Sequence, residues 1–406
     1  MALVVHKYGG ASVADAERIR SVADHIGRTR RRGDDVVVAV SAMGKTTNDL
    51  ERLAFDVSTS RPGREMDLLL SSGERISMAL LTMALADIGV AAVSFTGSQA
   101  GIITDATHQR ARIVEVRGDR VREALAAGQV VVVAGFQGVS TGRDVTTLGR
   151  GGTDTTAVAL AAALGAERAE IYTDVSGVFS ADPRLVAGAR RIARLSWEEL
   201  LEMCAAGCPK PDVRAAEFAR THQVRMEIRS SFTWEPGTRV GPEEEVVEQA
   251  IVSAVVPELG EAKVTVTGVP DRVGVAGTLF TALATRDVNV DMIVQNTSLE
   301  GHTDISFTIP ARDLEVGLEA SRSVLAEIGA TGVTADRGVA KVSIIGAGMK
   351  TNPGVAATVF RTLAAELINI EMISTSPIRI SVVVSQTDAE RAVQALHAAF
   401  GLENRV

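Results

Sequence analysis

The chain has 406 residues, 46% of them hydrophobic and 23% charged, and a net charge of −8. That length exceeds what one hydrophobic core supports, so two or three domains are expected. The acidic balance argues against a non-specific nucleic-acid binder, and no uncharged apolar run approaches membrane-span length, so no membrane role is expected.

The N-terminus enters a strand at once, Leu3-Val4-Val5, with no basic leader or cleavage site, so a cytoplasmic protein is expected. Cys204 and Cys208 share a helix face at i, i+4 without further ligands nearby, which points to reduced structural cysteines and no metal site. The six histidines show no ligand spacing. Lysine is rare among the 42 basic residues, so a lysine inside a glycine motif carries more information than usual.

Short Val-rich runs at 3–7, 36–40, 91–95, 130–134 and 171–173 read as strands. Ala-rich stretches at 14–30, 74–86, 113–127 and 153–164 read as helices. The alternation predicts an α/β domain with a mainly parallel sheet, whose ligands bind beyond the C-terminal strand ends.

Five segments fall at or near those ends. Lys7-Tyr8-Gly9-Gly10-Ala11-Ser12 places a lysine beside two glycines, where backbone N–H groups can approach an anion. A tight turn with a surface lysine explains it equally well. Ser41–Asp49 contains Gly44-Lys45-Thr46, but Ala39 stands where a Walker A loop needs glycine, so that reading fails. A hydroxyl-rich substrate loop or a capped helix start remains. Ser71-Ser72-Gly73-Glu74-Arg75 puts Glu74 at a helix start, as a dipole partner or as a grip for an ammonium group. Leu148–Ala157 opens a glycine run onto a helix, with Arg150 as a carboxylate fork and Asp154 as a cap or an active-site acid. Thr173–Arg184 is a strand end followed by a long polar turn that can serve a nucleotide or act only as a loop.

A break follows near Trp234-Glu235-Pro236-Gly237 and the acidic run Glu243-Glu244-Glu245. Beyond it the chain repeats itself. Residues 274–293 align with 354–373, and half of the aligned positions are identical, among them Gly274/Gly354, Phe280/Phe360, Asn289/Asn369 and Met292/Met372. Each copy reads strand, glycine turn, helix, strand, which predicts a small ferredoxin-like α+β sandwich.

In this order the segments closely resemble the aspartate kinases of the amino-acid kinase family, over residues 7–402. Val290–Asn296 and Asn369–Ser376 resemble the signatures of ACT domains. The resemblance implies an α/β amino-acid kinase fold at 1–245, a first ACT domain at 262–335, and a second at 246–261 and 336–406. It implies transfer of the γ-phosphoryl of ATP to the β-carboxylate of L-aspartate, with Mg²⁺ bridging the phosphates. Lys7 would stabilise the transferring phosphoryl and Asp154 would orient Lys7. Gly9, Gly10 and Ser41 would cradle phosphate. Thr47, Glu74, Arg150, Gly151 and Thr153 would hold aspartate, with Glu74 on the ammonium and Arg150 on the α-carboxylate. Thr173, Asp174, Phe179, Arg184 and Lys210 would serve the nucleotide. Asp271, Gly274, Val275, Ala276, Gln295, Asn369 and Ile370 would bind lysine or threonine effectors. The ACT pair would form a homodimer or higher oligomer. A β-carboxylate is already ionised at pH 7, with an ordinary pKa of about 3.9, so alignment and charge neutralisation suffice. On this reading Lys7→Ala abolishes turnover with little loss of folding.

Three departures stand out. Pro209 occupies the position of the family's nucleotide-contacting lysine, with Lys210 one place later. Thr153 replaces the usual serine, and Pro377 replaces a glutamate near the effector site of lysine-inhibited relatives. These departures imply weakened lysine and threonine feedback. Two rivals stand beside the main reading: a kinase of a close aspartate analogue, and a catalytically impaired ACT sensor.

Overall fold

A computed structural model describes residues 2–243, 251–296 and 301–403. The expected domain boundary at 245/246 and most of the acidic run lie outside the described residues. The chain forms two compact units. The first comprises Met1–Val178, Arg191–Ala205 and Pro209–Val247; the second comprises Phe179–Arg190, Ala206–Cys208 and Glu248–Val406.

Among the described residues, the first unit is built on an eight-stranded sheet. Its spatial order is Arg194–Ser196, Thr238–Gly241, Met226–Ser230, Arg168–Thr173, Leu3–Tyr8, Asp35–Val40, Val130–Ala134 and Ala92–Phe95. The pairings are parallel except for Met226–Ser230 with Thr238–Gly241. The central runs Val36–Val40 and Val130–Ala134 are fully buried, as strands covered on both faces must be. A smaller sheet joins Ile113–Val116, Ile102–Thr104, Gln137–Ser140 and Val145–Thr147.

The expected helix at 113–127 is two elements, strand Ile113–Val116 and helix Asp119–Ala126. Gly118 separates them at φ 69°, and the β-branched pair Ile113-Val114 favours the extended chain. Helices Gly63–Leu70 and Ser72–Asp87 make one 25-residue apolar stretch of membrane-span length. The second of them packs on strands Ala92–Phe95 and Val130–Ala134 and buries Leu81 and Leu85, so it serves as a layer of this core.

The second unit holds two four-stranded sheets. One orders Ile293–Gln295, His302–Pro310, Glu261–Pro270 and Gly332–Asp336; the other orders Ala254–Glu258, Val339–Ile345, Arg379–Ser385 and Met372–Ser376. Strand Ala254–Glu258, which precedes the first repeat, pairs with Val339–Ile345 of the second. The two copies exchange charges reciprocally. Lys263 of the first pairs with Glu371 of the second, and Lys341 of the second pairs with Asp291 of the first. Asp291 and Glu371 are equivalent in the repeat, each preceding Met-Ile. Met292, Val339, Met372 and Val383 form an apolar cluster between them.

Candidate active site

Strands Leu3–Tyr8, Asp35–Val40 and Arg168–Thr173 are sheet neighbours, so their C-terminal ends bring Lys7, Ser41 and Thr173 together. The turn after the first strand leaves little room for side chains. A Cβ on Gly9 would stand 3.1 Å from Lys7 Nζ, and one on Gly10 would stand 3.0 Å from the carbonyl oxygens of Ala42 and Gly44. The Gly44 N–H donates to the Gly10 carbonyl at 3.0 Å, which locks the two loops together.

Lys7 is 3% exposed, and its Nζ lies 2.7 Å from Asp154 Oδ1. The contact is a close, buried ion pair. Asp154 sits in the first turn of helix Gly152–Leu164, buried with Thr153 and Thr155. Its Oδ2 accepts the Asp212 N–H at 3.1 Å. Burial pushes Asp154 upward, but the ammonium of Lys7, with Lys210 and the Asp212 amide behind it, holds the carboxyl below its ordinary pKa.

Ser41 Oγ donates to Thr153 Oγ1 at 2.9 Å, tying the second strand end to the same helix start. A Cβ on Gly73 would lie 2.8 Å from that of Ala42, so Gly73 allows a close approach. That approach lets the Ala42 N–H donate to Glu74 Oε1 at 3.1 Å. Glu74 is 3% exposed, its Oε2 has no partner, and burial raises its pKa to about 7. A buried carboxyl with one unpartnered oxygen beside the 41–49 loop can receive a cation.

Thr47 is half-buried on helix Thr46–Val57, and Arg150 is exposed beside Gly151. Thr173 Oγ1 donates to Asp174 Oδ1 at 2.9 Å. Lys210 is half-buried and close enough to Asp154 to lower its pKa. Phe179 and Arg184 belong to the second unit, where Arg184 is exposed and paired with Asp182 at 2.6 Å. The neighbouring Ser180 bonds His397 Nε2 at 2.8 Å within that unit. Asp271, Gly274, Val275 and Ala276 line the turn into helix Val275–Ala284, and Gln295 lies exposed on strand Ile293–Gln295. Asn369 and Ile370 precede the equivalent strand of the second copy.

Two residues here escape sequence reading. Gly135 abuts Thr153, where a Cβ would come within 2.5 Å of its side chain. Asp212 caps helix Val213–His222 and sits so near Gly151 that a Cβ there would lie 2.1 Å from its Cγ. Burial raises the Asp212 pKa.

Comparison with known proteins agrees with this geometry. The chain matches the amino acid kinase family over residues 2–230 and an ACT domain over 264–323 and 342–400. It is 54% identical to the aspartokinase of Mycolicibacterium smegmatis, over 99% of this chain and 97% of that one. The chain belongs to the amino acid kinase family, among its aspartokinases.

The aspartokinase of Corynebacterium glutamicum is 51% identical over the same shares. E. coli aspartokinase III, solved with aspartate and ADP, superposes with a TM-score of 0.82 at 25% identity, over 98% of this chain and 99% of that one. The same enzyme with lysine and aspartate superposes at 0.74 and 26% identity, over the same shares. The site just described joins a glycine turn, a buried cation and a buried carboxylate in one unit.

Proposed function

We propose that the chain transfers the γ-phosphoryl of ATP to the β-carboxylate of L-aspartate, giving 4-phospho-L-aspartate. The observation that carries this reading is the buried Lys7–Asp154 pair at the converging strand ends. The names of the relatives support it, as does the presence of aspartate and ADP in the E. coli neighbour.

In this reading Gly9, Gly10 and Ser41 receive the phosphates, and Lys7 neutralises charge on the transferring group. Asp154, 2.7 Å from Lys7 Nζ, holds the ammonium in place at the strand ends. Glu74 takes the substrate ammonium, Arg150 the α-carboxylate, and Thr47, Gly151 and Thr153 complete the cradle. The β-carboxylate attacks in line as its ordinary anion, and no proton needs to move. Thr173, Asp174 and Lys210 serve the nucleotide, with Phe179 and Arg184 on the loop that follows. Among the described residues no cluster of three or more metal-ligating side chains occurs. Mg²⁺ would be held mainly by the phosphates of the substrate and would neutralise their charge, as its reluctance to shed water favours.

The same reading makes 1–245 the catalytic domain. It makes 262–335 one ACT domain, and 246–261 with 336–406 the other. These domains would pair chains as a homodimer or larger assembly in the cytoplasm, with lysine and threonine as effectors at Asp271, Gly274–Ala276, Gln295, Asn369 and Ile370. A coupled ADP-release assay across aspartate, glutamate and aspartate analogues tests the whole. Turnover with aspartate alone supports it; preference for an analogue, or no turnover, replaces it with one of the rivals.

A further inference from the structure

The first unit carries a second concavity, at the N-terminal ends of strands Arg168–Thr173 and Met226–Ser230, the opposite end from Lys7. The sheet register creates it. Arg194 pairs with Arg239, Arg239 with Glu227, and Glu227 with Glu170, so these side chains form one row on one face. Arg168 and Arg229 share that face, because they alternate with the buried Ala169, Ile171, Met226 and Ile228. The cavity measures about 840 Å³ and is lined by Arg168, Arg194, Arg225, Arg229 and Arg239 against only Glu167 and Glu227. A smaller cavity of about 160 Å³ shares Arg168 and Arg229, and is edged by His25 stacked on Trp234 at 4.1 Å.

A chain with a net charge of −8 concentrates five guanidinium groups here. Arg168 pairs with Glu167 and Glu170, Arg229 with Glu170 and Glu227, and Arg194 and Arg225 have other polar partners as well, so the case rests on the surplus of guanidinium groups over carboxylates around one cavity. Like charges gathered this closely repel one another, and a multivalent anion relieves that repulsion. Guanidinium forks match phosphate oxygens in pairs. The volume lies in the range of small-molecule sites and far exceeds one phosphate, while Met226, Val240, Pro236 and Pro242 supply apolar wall.

We propose that this arginine cleft binds a phosphate-bearing anion of nucleotide size, at a site separate from the catalytic one. The test is calorimetric titration of tripolyphosphate, without magnesium, into the full-length chain. Three proteins are compared: wild type, the double variant Arg194→Ser with Arg239→Ser, and Lys7→Ala. Both substituted arginines are exposed, and Arg168 and Arg229, the ion-pair partners of the buried Glu170, are left in place. Wild-type turnover of the double variant therefore confirms its fold. Binding should weaken by about tenfold or more in the double variant, weaken further with added salt, and persist in Lys7→Ala. Competition by ADP in Lys7→Ala would extend the ligand to a nucleotide, whereas its absence with retained tripolyphosphate binding would limit it to a polyphosphate. Equal affinity in wild type and the double variant, loss in Lys7→Ala, or no binding to wild type would each overturn the proposal.

Discussion

Lys7 Nζ lies 2.7 Å from Asp154 Oδ1, and the two side chains are 4% and 3% exposed. This burial changes what substitution of Lys7 should do. Lys7→Ala leaves a buried carboxylate without its closest cation, and breaking such a pair costs about 3–5 kcal/mol. The Asp212 amide and Lys210 offset part of that cost. Turnover should fall at least 100-fold, roughly the worth of one charge-stabilising group. Stability should fall too, contrary to the expectation of little loss from sequence. Adding Asp154→Asn to Lys7→Ala should recover most of the stability and none of the activity. Urea unfolding and an ADP-release assay on wild type and the two variants decide it. Activity of Lys7→Ala within about tenfold of wild type removes Lys7 from the mechanism.

Glu74 predicts a pH profile. Burial raises its pKa from the ordinary 4.5 to about 7. The protonated form therefore favours the folded, ligand-free protein below about pH 4.5, and that contribution is lost as pH rises through about 7. A substrate ammonium reverses the balance, because it favours the ionised form. So kcat/KM for aspartate should rise with pH to a plateau above about 7, while ligand-free stability changes in the opposite direction. Glu74→Gln should flatten the rate limb near neutrality and raise KM for aspartate. A limb that survives in Glu74→Gln assigns the ionisation elsewhere.

Much of this site was legible because its parts are local. Gly9 and Gly10 follow a strand, and Glu74 follows a glycine at a helix start, so the sequence marks them as candidates, and the resemblance to aspartate kinases gives them their roles. Asp154 was ambiguous in isolation, since an acid in a first helical turn is ordinarily a dipole partner. Only the packing of helix Gly152–Leu164 on strand Leu3–Tyr8 gives it Lys7 as a partner. Asp212 was illegible for a related reason. It lies 58 residues beyond Asp154, and it acts there through a backbone amide that no side-chain pattern announces. The split of 113–127 was missed because Ala-rich periodicity outweighed one glycine at positive φ.

The reciprocal ACT pairs differ in burial, and that difference is measurable. Lys341 is 1% exposed between Glu258, 2.7 Å away, and Asp291, whereas the Lys263 side chain is 23% exposed beside Glu371. Burial alone would lower the Lys341 pKa, but the two carboxylates raise it above the ordinary value. Glu261 nearby is raised to about 7 by burial and by Glu258. Lys341→Met should cost about 3–5 kcal/mol, because three acidic groups lose one buried cation. Lys263→Met should cost under about 1 kcal/mol. Denaturant unfolding of the two variants compares them directly, and equal costs would show that burial does not separate the pairs.

Pro377 bears on control by effectors. It lies in the turn between Met372–Ser376 and Arg379–Ser385, on the edge hairpin of the second ACT sheet. Proline offers neither an amide donor nor the carboxylate of the glutamate it replaces. On the effector reading proposed above, an α-ammonium or ε-ammonium near that turn would lack a counter-charge, while Asp271, Gln295 and Asn369 are exposed. Inhibition by lysine with threonine should accordingly be weak, and Pro377→Glu should strengthen it by roughly tenfold, a typical coupling between sites. Both proteins should share the same uninhibited kcat, since the turn lies in the second unit. Inhibition curves read by ADP release provide the measurement. Complete inhibition of the unsubstituted chain at submillimolar effector would show that the other effector positions suffice without a carboxylate at this turn.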